Sequence, residues 1–188
     1  MSKEFLGDSR KALEDSFFAK QNEKFRRELL EKETLKVRKT ALSEVSGISD
    51  DAVLEHLIAL DIGPDALTAL TLVPLIEVAW ADGSVDARER EAILEAASSS
   101  GLGKGSSSAR LLEGWLQERP EPDVLAAWKE YVSALLATLS ADAKEALKKD
   151  LLGRAHAVAE AAGGFMGLGN KVSKSEQAVL EDLESIFA

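Results

Sequence analysis

Apolar residues recur at helical spacing along almost the whole chain. Between Ser49 and Leu60, for example, Val53, Leu54 and Leu57 fall on one side of a helix. β-branched and aromatic residues are sparse, and no segment alternates for long between apolar and polar residues, as a half-buried strand would. The pattern therefore predicts an all-α fold, a compact helical bundle of about seven to eight helices.

Glycine, proline and serine interrupt this pattern and mark the predicted helix boundaries. The predicted helices after the N-terminal one cover 49–60, 64–81, 86–98, 107–118, 123–138, 141–162 and 173–187. The 64–81 helix is nearly all apolar from Ala66 to Ala81, so we expect it at the centre, kinked at Pro74. This run also contains Glu77 and is too short to span a bilayer comfortably, so we predict no transmembrane segment.

The N-terminal 45 residues are highly charged, and no glycine or proline interrupts them between Ser9 and Ser46. We predict one long helix with a loose apolar stripe that includes Leu13, Phe17 and Phe25. The predicted domains are a charged helical arm, 1–45, and a helical domain, 46–188. The arm either packs on the domain through its stripe or docks on a protein partner.

Charge is unevenly divided between these two parts. The chain has a formal net charge of −10; residues 1–45 carry 11 Lys+Arg and 9 Asp+Glu, and residues 46–188 carry 12 and 24. An acidic domain repels phosphate backbones, so we predict no nucleic-acid partner. Cations or basic protein surfaces suit it better.

The composition provides few candidate catalytic residues. The absence of cysteine excludes disulfides, thiolate metal sites and a cysteine nucleophile. With only two histidines and no serine in a nucleophile setting, we predict no catalytic residues and no enzymatic activity. The N-terminus is charged throughout and shows no secretory signal, so we expect a cytoplasmic protein.

Two segments of the helical domain resemble each other. The first is ADGSVDAREREAIL, residues 81–94, and the second is LGNKVSKSEQAVLE, residues 168–181. When they are aligned, the paired residues are Val85 with Val172, Asp86 with Ser173, Glu89 with Glu176 and Ile93 with Leu180. Both segments contain a capping-box sequence: D-x-x-E at residues 86–89 and S-x-x-E at residues 173–176. We call residues 80–89 the first joint and residues 168–176 the second joint.

One interpretation of the joints is purely structural. Gly83 and Asn170 suit the positive φ with which a helix commonly ends, and Asp86 or Ser173 caps the next helix. On this interpretation the joints connect helices and bind no ligand.

The other interpretation is a metal site at the first joint. Asp82, Gly83, Val85, Asp86 and Glu89 have the spacing of positions five, six, eight, nine and twelve of an EF-hand calcium loop. The first and third positions would be Val78 and Trp80, which have no side-chain oxygen, so the loop is not an EF-hand. A cation would need further oxygens from Glu77, or from Glu176 and the backbone of the second joint. Such oxygen ligands favour calcium, magnesium or manganese over zinc.

The segments 72–97, LVPLIEVAWADGSVDAREREAILEAA, and 159–183, AEAAGGFMGLGNKVSKSEQAVLEDL, resemble the TerB-like family, tellurite-resistance protein B and its relatives. The resemblance covers roughly residues 66–187. It implies an all-α domain whose two halves each contribute a joint, a link to tellurite resistance and stress response, and divalent-metal binding through acidic residues near the joints. By position, these residues are Asp82, Asp86 and Glu89.

The second joint departs from the acidic pattern of the family. Gly169, Asn170 and Ser173 stand where the first joint has Asp82, Gly83 and Asp86, and only Glu176 keeps its carboxylate. We therefore expect a non-enzymatic protein with one divalent-cation site, formed by Asp82, Asp86, Glu89 and Glu176, that acts through protein partners. The alternative is a metal-free scaffold or regulatory protein whose N-terminal helix docks a partner.

Overall fold

A computed structural model describes residues 2–162 and 172–187, with side chains from residue 23 onward except those of Phe25 and Ala162. Every regular element in these ranges is helical, which confirms the all-α prediction. The elements are α1 (Ser2–Ser46), α2 (Asp51–Ala59), a 3₁₀ turn (Pro64–Ala66), α3 (Leu67–Leu70), α4 (Val73–Ala79), α5 (Ala87–Ser99), α6 (Ser107–Gln117), α7 (Pro122–Thr138), α8 (Ala141–Ala162) and α9 (Lys174–Ser185). None of the described helices is both long and apolar enough to cross a bilayer.

The chain divides into two units, residues 1–41 and 42–188. The first unit is the greater part of α1, along which Leu29, Leu30 and Val37 are exposed. The side chains of Leu13, Phe17 and Phe25, which the sequence placed on an apolar stripe, lie outside the described residues. The helix ends at Ser46, and the next residue, Gly47, has a φ of +71°, in the left-handed region that favours glycine.

The apolar segment 64–81 differs from its prediction. A single kinked helix was expected, but α3 ends at Leu70 and α4 starts at Val73. Pro74 lies in the first turn of α4, where its missing N–H costs least, and it cannot continue the hydrogen-bond ladder of α3. The extra break accounts for nine described helices instead of eight. The predicted burial is observed, because every residue from Leu72 to Ala79 is buried.

The two joints lie in the chain between α4 and α5 and between α8 and α9, and these four helices pack on one another. α8 packs against α4, α5 and α9, and α4 also contacts α5, α7 and α9. Their shared core is built from aliphatic side chains that are almost completely buried: Ile76, Val78, Ile93, Ala155, Val158 and Leu183. Burying each large aliphatic side chain contributes roughly 1.5–3 kcal/mol. The helix pairs α4–α5 and α8–α9 are therefore held together by one core.

His56 connects α2 to α7 through two carboxylates. Its side chain is only 22% exposed; its Nδ1 lies 2.8 Å from Glu130 Oε2 and its Nε2 lies 3.3 Å from Asp123 Oδ2. A neutral imidazole has one N–H, so only the protonated ring donates to both acids. The hydrogen bond with Glu130 is the main cause of a raised pKa for His56; partial burial opposes it, and Asp123 adds to it.

Candidate cation site

Backbone hydrogen bonds set the course of the first joint. After α4, the N–H of Gly83 donates to the carbonyl of Trp80 at 3.0 Å, and Gly83 adopts the predicted positive φ, +97°. Asp82 Oδ1 then accepts the N–H of Ser84 at 3.1 Å. The indole Nε1 of Trp80 donates to the carbonyl of Trp115 in α6 at 2.9 Å, which fixes the joint to a third helix.

The predicted capping box of the first joint is present. Asp86 Oδ1 accepts the N–H groups of Arg88 and Glu89 at 2.7 and 2.8 Å. In return, Glu89 Oε2 accepts the N–H of Asp86 at 2.7 Å. The Asp86 side chain is exposed, whereas Glu89 is only 3% exposed. An N-cap of this kind stabilises a helix by about 1 kcal/mol.

The second joint contains the same reciprocal arrangement at the start of α9. Ser173 Oγ accepts the N–H of Glu176 at 3.2 Å, and Glu176 Oε2 accepts the N–H of Ser173 at 2.6 Å. Glu176 is 5% exposed. The expectation that Asn170 has a positive φ concerns a residue outside the described ranges, as does the expected loop around Gly169. The sequence thus predicted both capping boxes, but it did not predict how deeply their glutamates are buried.

Electrostatic repulsion links the two joints. Burial is the main reason that the pKa of Glu89 rises from 4.5 to about 7. The negative charges of Asp86, Asp82 and Glu176 raise this pKa further, while the hydrogen bond from the Asp86 N–H opposes the rise. The other three predicted residues are therefore close enough for their charges to act on Glu89.

Glu77, the other acid considered as a source of oxygens, already has a counter-ion. Its side chain is buried in α4, and its Oε2 accepts a hydrogen bond from Arg119 Nη2 at 3.0 Å. A carboxylate within an apolar run is a signal that a partner is needed. Sequence reasoning could not identify that partner, because Arg119 lies 42 positions away between α6 and α7.

The charges of the described acids act on Glu89, but the side chains do not form a preformed coordination shell. Within residues 23–161 and 172–187, no group of three histidine, aspartate or glutamate side chains is placed to hold one metal ion. Asp82 and Asp86 each direct one oxygen to backbone amides. Glu89 and Glu176 each use Oε2 in a capping box, and their Oε1 atoms take no part in it.

No protein-family model, no curated protein and no solved structure matches this chain. The resemblance to the TerB-like family therefore stays a prediction that rests on the sequence motifs of the joints.

Proposed function

We propose that the chain is a non-enzymatic helical protein that binds a divalent cation beside Glu89 and Glu176 and acts through protein partners. One observation carries this proposal. Glu89 is almost completely buried, and the charges of three neighbouring acids oppose its ionisation. A cation beside the joints would offset both the burial and the repulsion, because it favours the charged form of a carboxylate.

The donor chemistry suits a hard cation. Asp82, Asp86, Glu89 and Glu176 offer only oxygen ligands, which calcium, magnesium and manganese prefer. Since the described residues do not gather three acids around one point, the bound ion would retain part of its water shell. Magnesium commonly binds in this way through one or two carboxylates, so magnesium or manganese fits better than calcium, and zinc fits least.

The capping boxes give such a cation a structural consequence. Glu89 holds the first turn of α5 and Glu176 holds the first turn of α9. Neutralising these glutamates would remove repulsion between the two helix starts while both capping hydrogen bonds are kept. We propose that a protein partner recognises this tightened state. A role in tellurite resistance or stress response is supported only by the TerB-like motifs.

Thermal unfolding with and without cations tests the proposal. Mg²⁺ or Mn²⁺ should stabilise the wild type, by about 2.7 kcal/mol at one hundred times the Kd. Glu89→Gln and Glu176→Gln should lose most of this gain, although glutamine can still complete a capping box. Glu91→Gln, on the exposed side of α5, is the matched control and should respond like the wild type. Equal stabilisation of Glu89→Gln, or no stabilisation by any cation, would refute the site.

The second candidate function is a metal-free scaffold whose α1 docks a partner. The observation that favours it is the exposure of Leu29, Leu30 and Val37 on one helix. A pull-down with the wild type and with a Leu30→Gln, Val37→Gln variant tests this function. Loss of a bound protein only in the variant supports docking by α1, and retention of the same protein contradicts it.

A further inference from the structure

A half-open cavity of about 300 Å³ is lined mainly by residues of α4, α7 and α8. Most of its wall is apolar, and it is formed mainly by Leu72, Leu75, Trp128, Val132, Leu147 and Leu151. No described residue of either joint lines it. Binding sites for small molecules have this character, with volumes from about 300 Å³ upward, apolar walls and a few polar groups that fix orientation.

Tyr131 supplies an unused polar group to this cavity. Its side chain lines the cavity and is only 7% exposed, yet no described residue forms a hydrogen bond with its hydroxyl. Every fully enclosed side-chain nitrogen or oxygen in the described part of the chain has a partner. The Tyr131 hydroxyl is therefore not fully enclosed, and some of its surface is accessible to solvent. Buried tyrosine hydroxyls normally have a hydrogen-bond partner.

The two charged residues that line the cavity, Arg154 and Asp150, indicate which net charge a ligand should carry. Arg154 Nε donates to Asp150 Oδ1 at 3.2 Å, and its Nη2 lies 3.0 Å from Asp150 Oδ2. Its Nη1 donates to Ser100 Oγ. An anionic ligand would have to displace Asp150 from this pairing, and a cationic ligand would meet the guanidinium. The cavity therefore favours a neutral molecule.

We propose that this cavity binds a small neutral molecule with an apolar body and one oxygen atom. This oxygen accepts a hydrogen bond from the Tyr131 hydroxyl. A cavity of about 150 Å³ holds benzene, so twice that volume accommodates a ligand of roughly 8–12 non-hydrogen atoms. Burial raises the pKa of Tyr131, which keeps its hydroxyl protonated and able to donate. This proposal is independent of the cation site.

Two probes of nearly equal shape test the proposal: acetophenone, which has a carbonyl oxygen, and isopropylbenzene, which has none. Their affinities are measured by NMR titration, following the Trp128 ring, in the wild type and in Tyr131→Phe. We expect saturable acetophenone binding that weakens about threefold to tenfold in Tyr131→Phe, the loss of one hydrogen bond. Isopropylbenzene should bind both proteins within twofold.

Leu147→Trp places a large side chain in the cavity and should abolish binding of both probes. If that variant does not fold, the affinities of the two probes for the wild type and for Tyr131→Phe still test the proposal. The proposal is overturned by the absence of saturable binding to the wild type, which would mean that the cavity holds water only. It is also overturned if Tyr131→Phe leaves the acetophenone affinity unchanged or weakens both probes equally.

Discussion

The two joints perform the same structural task with different charges. In each, a glutamate that is at most 5% exposed accepts the N–H of the N-cap residue, at 2.7 Å in the first joint and 2.6 Å in the second. The N-cap residue is a charged aspartate, Asp86, in the first joint and a neutral serine, Ser173, in the second. Only the aspartate adds a negative charge beside its own buried glutamate.

This difference between the N-cap residues shows that capping the helix does not require a negative charge. Serine and aspartate cap helices about equally well, so the second joint shows that a neutral cap suffices to start the helix. Asp86, and Asp82 beside it, therefore exceed the structural requirement and add to the repulsion on Glu89. A bound cation would offset this additional negative charge.

The largest expected effect is a change in pH dependence when Glu89 becomes glutamine. The pKa of Glu89 rises from 4.5 to about 7 on folding, so the folded state binds the proton more tightly. This contribution to stability is fully present below pH 4.5 and is lost as the pH rises through about 7. Urea unfolding should show that Glu89→Gln gains on the order of 2–3 kcal/mol over the wild type between pH 5 and pH 8.

Glu91→Gln, the same substitution on the exposed side of α5, controls for the loss of one negative charge. A constant stability difference between Glu89→Gln and the wild type over this pH range would show that the buried glutamate does not carry the pH dependence.

Removing the N-caps should have the next largest effect. Asp86→Ala and Ser173→Ala should each cost about 1 kcal/mol at pH 5, measured by urea unfolding. At pH 8 the cost of Asp86→Ala should shrink, because the substitution also relieves the repulsion on Glu89. The cost of Ser173→Ala serves as the comparison. If Asp86→Ala costs as much at pH 8 as at pH 5, Asp86 does not repel Glu89 measurably.

Exchanging the N-caps should have a smaller effect on stability and a specific effect on ionisation. Asp86→Ser gives the first joint the neutral cap of the second, so stability at pH 5 should change by less than about 0.5 kcal/mol. The pKa of Glu89, followed by carbon NMR of its carboxyl group, should fall below about 7 because one repelling charge is gone. An unchanged pKa would mean that the charge of Asp86 does not contribute to it.

The smallest expected effect lies away from the joints, at His56. Its raised pKa means that its contribution is present below pH 6.5 and is lost as the pH rises through the folded value. His56→Gln should therefore reduce the loss of stability between pH 6 and pH 9, by under about 1 kcal/mol for such a partly exposed pair. Glu130→Gln should act in the same direction. If neither variant alters this pH dependence, the two carboxylates do not hold a protonated histidine.

Local rules predicted the features that depend on neighbouring residues. The all-α class, the end of α1 just before Gly47, the positive φ of Gly83 and both capping boxes follow from residue type and spacing. The predicted helix 49–60 starts too early: α2 begins at Asp51, because Asp50 is its N-cap and accepts the N–H groups of Ala52 and Val53.

Features that depend on distant residues could not be predicted in this way. The burial of Glu89 and Glu176 arises from the packing of α4, α5, α8 and α9, which no periodicity specifies. The pairing of Glu77 with Arg119 joins residues 42 positions apart, and that of His56 with Glu130 joins residues 74 apart. The unpaired hydroxyl of Tyr131 likewise becomes visible only once the cavity walls are in place.

Proton release on cation binding tests the central claim most directly. With a pKa of about 7, roughly half of the Glu89 side chains carry a proton at pH 7, and a bound cation would displace it. Calorimetric titration with Mg²⁺ or Mn²⁺ in buffers of different ionisation enthalpy should show release of about half a proton in the wild type. It should show none in Glu89→Gln. Absence of binding, or binding that releases no proton and is unchanged in Glu89→Gln, would contradict a cation site at the paired joints.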